Sequence, residues 1–366
     1  MSDPTSPSPS GQPFEQVLKH SATEVASFAR DERSPLVKFR HFLHSRPSAV
    51  SLLVLLLSLG IFGALLGGKF FSAFALTLIL QQVAITGIVG AAQTLVVVTA
   101  GIDLSVGSVL ALAGVANAMA VKAGASIEVG ILVGLIVGGI CGAINGLFVT
   151  LVKLPPFIAT LGMMLVARGL ALRLTDAQPI SGLGAAFGVL GNGTLGRIER
   201  IGDDGFPNVI FPGIPYPVII MIVLAIALWL VLSRTRLGRH IYAVGSNAEA
   251  ARLSGVKVRA VTLFTYVLSG VLAGLTGAVL MSRLVTAQPN EGVMYELDAI
   301  ASAVIGGTSL SGGIGSVSGT LIGAFTIGVL RNGLNMLGVS SFTQQIIIGL
   351  VILLTVCIDQ LRNRKK

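Results

Sequence analysis

Apolar runs of roughly the length that crosses a bilayer, about 20 residues, fill most of this chain and are separated by short polar breaks. Spans are expected at 49–68, 106–121, 129–151, 157–174, 217–233, 261–281, 316–330 and 346–358, with a shorter piece near 299–305. The run at 73–100 is too long for one straight crossing, so Gly87 and Gly90 are expected to divide it into a span and a half-helix. The pattern predicts an all-α polytopic integral membrane protein with short or discontinuous helices in both halves. Its ten or so crossings become about eight full spans if the short pieces only re-enter. Glycine recurs every four residues at Gly130, Gly134, Gly138, Gly142 and Gly146, and again at Gly315, Gly319 and Gly323. Such ridges let neighbouring helices approach closely.

The polar stretch 100–108 interrupts this pattern most sharply. It places Asp103, Ser105 and Ser108 between two apolar runs, and Asp103 is the only acid between Glu32 and Glu128. Irregular backbone survives at membrane depth only inside protein or beside an aqueous cavity. An intramembrane carboxylate costs roughly 3 kcal/mol on insertion and marks either a functional site or a buried partner. Asp103 is expected to cap the following helix, a position where a polar solute can also be held. The stretch has an echo. Residues 101–107 and 307–313 both read G-x-x-L-S-x-G, and Asn145-Gly-Leu returns at Asn332. Paired glycine-rich interruptions in two halves point to a transporter's central pathway. Ser309 stands where the first half has Asp103, so the charge is not repeated.

Composition agrees: 53% of residues are hydrophobic, 11% are charged, and mean hydropathy is +0.87. The net charge of +9 comes from basic residues beside the spans, the signature of membrane orientation rather than nucleic-acid binding. Residues 1–47 begin Ser/Pro-rich and lack the early apolar core of a signal peptide. The segment 33–46 is basic next to the first span and is placed inside, as is the 362–366 tail. The stretch 175–216 has no basic excess and is placed outside, where it would meet an external partner.

The strongest inside assignment is 234–260, with six basic residues against Glu249 alone. Ser246 and Glu249 have capping-box spacing, Ala250, Ala251 and Leu253 extend a short helix, and Gly255 suits a left-handed stop. Other candidate chemistry is weak. His41 and His44 lack a third metal ligand. Cys141 and Cys357 sit in apolar runs without partners. The glycines at 63–68 with Lys69 resemble a phosphate loop, but Phe70 stands where Ser or Thr should bind magnesium.

Three stretches, 99–108, 237–255 and 306–316, together resemble the permease subunits of bacterial ATP-binding-cassette sugar importers of the ribose/xylose/galactose/fructose branch. The resemblance runs from about residue 49 to the C-terminus. It implies two copies of the permease in the cytoplasmic (inner) membrane, with both termini cytoplasmic. It also implies an external sugar-binding protein and a cytoplasmic ATPase that uses ATP and Mg, this chain binding no cofactor or metal and doing no catalysis. Glu249-Ala250-Ala251 followed by Gly255 would then be the coupling segment, with Ser246 opening it. Gln93, Asp103, Ser105, Asn117, Asn145, Ser309 and Ser311 are expected along the solute route. An ion-coupled transporter using Asp103 is the competing class, and within the family a nucleoside, polyol or autoinducer-2 is the competing cargo.

Overall fold

The structure, a computed structural model, describes residues 47–201 and 207–363. The basic tail with His41 and His44, the acids Asp203 and Asp204, and residues 364–366 lie outside the described part. The elements follow the apolar pattern: α1 (Pro47–Leu66), α2 (Ala73–Val98), α3 (Val106–Lys122), α4 (Ile127–Leu147), α5 (Pro156–Thr175) and a single turn α6 (Val189–Asn192). After them come α7 (Tyr216–Arg234), α8 (Arg236–Ser246), α9 (Ala248–Leu253), α10 (Val258–Leu284), α11 (Tyr295–Ile305), α12 (Val317–Met336) and α13 (Ser341–Asn363). Among the described residues seven helices are long and apolar enough to cross a membrane, and two shorter apolar helices, α3 and the first part of α13, join them. With α11, at 11 residues about 16 Å long, they make up the expected bundle.

One expectation fails. Gly87 and Gly90 do not break the long run, because α2 is continuous over 26 residues. Its glycines instead accommodate neighbours: a Cβ on Gly87 would meet Met221 Sδ at 2.6 Å, and one on Gly90 would meet Thr320 Cγ2 at 3.0 Å. Close packing, not helix interruption, accounts for them. The four-residue ridge on α4 behaves as expected. A Cβ on Gly138 would land on the carbonyl of Gly270, and one on Gly142 on that of Tyr266. Thus α4 and α10 pack backbone to backbone, the closest pairing open to two helices.

The connections between helices gather at two ends. The stretch 176–215 is more than a loop. Its short strands β1 (Thr194–Leu195), β2 (Ile198–Ile201), β3 (Pro207–Phe211) and β4 (Ile214–Pro215) form two antiparallel pairs, β1 with β4 and β2 with β3. Ile180 bridges Ala287 there, so the connection after α10 shares that end. The same connection turns back inward: a Cβ on Gly107, in the first turn of α3, would land on the carbonyl of Gly292. Arg168 of α5 holds it by donating to the carbonyls of Pro289 and of Glu291, the latter at 2.8 Å. The opposite end gathers both G-x-x-L-S-x-G breaks with α8 and α9.

Candidate translocation and coupling site

Three residues fix the first break. Ala100 takes a left-handed backbone (φ 60°), Gly101 leaves no room for a Cβ against the Tyr266 hydroxyl at 2.6 Å, and Asp103 turns the chain into α3. Asp103 is 1% exposed. Its Oδ1 accepts from the Ser105 amide (2.9 Å) and hydroxyl (2.6 Å), and its Oδ2 accepts from Ser269 Oγ of α10 (3.2 Å). Asn145 Nδ2 of α4 donates to Ser105 Oγ at 2.9 Å. The Gln93 amide of α2, its NH₂ toward the Asp103 carbonyl (3.3 Å) and its oxygen toward the Asp103 amide (3.2 Å), spans the same residue. Thr160 Oγ1 of α5 donates to the Ile102 carbonyl at 3.1 Å. Four helices therefore hold one seven-residue break through buried polar groups, which are costly to leave unpaired.

Asp103 does not cap α3 as expected. The N-cap is Ser105, whose side chain makes no capping bond. The carboxylate is spent one residue earlier, on a local turn that satisfies the Ser105 amide. Gln93, Asp103, Ser105 and Asn145 thus come together. Asn117 does not join them, since it packs against Gly130 between α3 and α4. Ser309 and Ser311 belong to the second break, where Ser309 Oγ accepts the Ser311 amide at 3.2 Å.

The two breaks meet. The Gly313 amide donates to the Val98 carbonyl at 2.9 Å, and α8 ends on the same spot. A Cβ on Gly245 would land on the Val98 carbonyl, and one on Gly313 would land on Ser246 Oγ. Tyr242 Oη donates to the Gly315 carbonyl at 2.8 Å. Sequence reasoning missed Tyr266 and Ser269, because single polar residues inside an apolar helix carry no local signal, and Tyr242, because the basic stretch around it was read as a loop rather than as α8. Gly245 was equally hidden, being one glycine among 46.

Beyond α8 the chain makes the expected short helix with a different cap. Asn247, not Ser246, caps α9 by accepting the Ala250 amide at 2.9 Å. Glu249 does not reach back to an amide. It takes Arg252 Nε at 3.0 Å and Nη2 at 2.5 Å, a two-point pairing that outcompetes a capping bond. Arg252 holds the Glu249 carboxyl below its ordinary range. Gly255 stops the helix at φ 85°, with the Val256 amide returning to the Ala251 carbonyl at 3.0 Å, as the left-handed stop requires. Ala251 is buried and anchors α9 to the bundle, whereas Leu253 is 76% exposed.

A sequence profile described as "Branched-chain amino acid transport system / permease component" matches residues 75–356. The chain belongs to this permease family. Among its relatives, the fructose import permease protein FrcC of Rhizobium meliloti is 44% identical over 95% of each chain. The ribose import permease protein RbsC of Bacillus subtilis is 47% identical over 82% of this chain and 89% of its own. The xylose transport system permease protein XylH of Escherichia coli is 34% identical over 81% and 88%. No solved structure matches. This permease is a multi-pass membrane protein and a transport component rather than an enzyme.

Proposed function

We propose that this chain is the membrane-spanning subunit of an ATP-driven importer that carries a monosaccharide of the ribose, fructose, xylose or galactose kind. The observation that carries the reading is the near end-to-end match to a fructose import permease, over 95% of both chains. Although the family description names amino acids, relatives covering most of this chain are named for fructose, ribose, allose and xylose.

In this reading two copies form the pathway in the cytoplasmic membrane, with both termini cytoplasmic. An external binding protein delivers the sugar to the end that carries 176–215. A separate ATPase subunit hydrolyses Mg-ATP at the end that carries α8 and α9. Glu249, Ala250 and Leu253, exposed on α9, meet the ATPase, with Ala251 as their anchor, Ser246 at the root and Gly255 as the stop. Closure of the ATPase pair presses α9, and α8 transmits the push to Val98 and Gly313. The polar group of Gln93, Asp103, Ser105 and Asn145 lies beside the sugar's route, with Ser309 and Ser311 at its inner mouth. Asn117 packs helices.

The experiment is ATP-driven uptake by the complete transporter in proteoliposomes. Glu249→Lys and Leu253→Asp should leave the permease folded and abolish uptake. Normal uptake by both variants would remove the docking assignment.

A further inference from the structure

Between α7 and α12 runs an apolar cleft of about 330 Å³, walled by Ile222, Ile226 and Trp229 on one side and Val317 and Leu321 on the other. Ser318 is the polar residue in its lining. That volume falls in the range of small-molecule sites. One end of the cleft is charged. The Arg234 guanidinium stands 6.0 Å from the centre of the Trp229 ring, and Arg236 and Arg239 follow it, exposed, on α8. Among the described residues none of these three arginines has a carboxylate within ion-pair distance, and no acid occurs between Arg234 and Glu249. The first turn of α12 opens at the same end, adding the partial positive charge of a helix N-terminus.

An apolar wall, then an indole, then unpaired guanidiniums is the order of parts in an amphiphile seated at a membrane surface. We propose that the cleft holds an acyl chain of an anionic phospholipid whose phosphate rests on Arg234 and Arg236. A second copy of the chain fits less well. Packed about a two-fold axis through the cleft, it would set the same arginines against each other. The lipid ties α7, which leads into α8, to α12, which follows the second break, so it braces the element before α8 against one of the two on which α8 acts.

The test uses the full chain in detergent, titrated with phosphatidylglycerol or phosphatidylcholine and read by native mass spectrometry. The native chain should retain phosphatidylglycerol preferentially. Arg234→Gln and Arg236→Gln should each weaken it about fivefold without changing phosphatidylcholine, and Leu321→Trp, which fills the cleft, should weaken both lipids. Arg259→Gln, on α10, should change neither. Equal retention of the two lipids by the native chain would overturn the proposal, as would an Arg259→Gln loss as large as that of Arg234→Gln. Efficient cross-linking of Ile226→Cys to its counterpart in a second copy would also overturn it, because protein would then cover the cleft.

Discussion

The amide of Gly313 donates to the carbonyl of Val98 at 2.9 Å, so the two glycine-rich breaks form one junction. Gly245, at the end of α8, closes over that bond with no space for a side chain. In the proposed mechanism a push on α9 would pass through α8 to Val98, which ends α2, and to Gly313, which precedes α12.

Gly245→Val tests that route. The added methyls must displace the Val98 carbonyl, at a cost of about 1–3 kcal/mol for forced overpacking. We expect a lower melting temperature and reduced uptake. Tyr242→Phe, which removes only the 2.8 Å bond to Gly315, should lower the melting temperature less than Gly245→Val does and lower the amount of sugar moved per ATP.

Backbone contact between α4 and α10 makes a second, purely structural prediction. Gly138→Leu should destabilise the bundle by at least the same 1–3 kcal/mol, roughly, because its Cβ falls on the Gly270 carbonyl. Gly162→Ala on α5, where nothing lies within 4 Å of the new Cβ, should be neutral. Thermal unfolding in one detergent compares the two.

Asp103→Ala strands the Ser105 amide, the Ser105 hydroxyl and the Ser269 hydroxyl inside protein. At about 1–3 kcal/mol for each unsatisfied group, it should be among the most destabilising single changes in the break. Asp103→Asn keeps an acceptor oxygen for Ser105 and should cost less. The order of the two melting temperatures checks the assignment.

An ion pair joins α11 to α12, the half-buried Arg331 placing Nη1 3.0 Å from Oδ2 of the buried Asp298. Arg331→Met leaves the carboxylate buried and unpaired, which costs about 3–5 kcal/mol. Asp298→Asn combined with Arg331→Met should recover most of that loss in the same unfolding assay.

The membrane bundle was legible in the sequence because hydropathy and glycine spacing are local signals, and the ridge on α4 was read correctly from spacing alone. Gly87 and Gly90 were misread because a glycine placed for a neighbour looks the same in sequence as one placed for a bend. The short lever was also legible, but its cap was not. Ser246 and Asn247 are both good caps, and the choice fell to Asn247 once Glu249 had paired with Arg252. Asp103 was visible as a lone carboxylate. Its partner Ser269, and Asn145, which bonds Ser105 beside it, come from distant helices that only the fold brings together.

The lever offers the most direct test of the whole account. The complete transporter, with its ATPase and external binding protein, is reconstituted into proteoliposomes, and labelled ribose and fructose uptake is measured with and without ATP. The account predicts ATP-dependent uptake by the native chain. It also predicts that Glu249→Lys loses uptake while keeping the native melting temperature, because the Glu249–Arg252 pair is exposed on both sides. Sugar accumulation driven by an ion gradient with no ATPase present would contradict it.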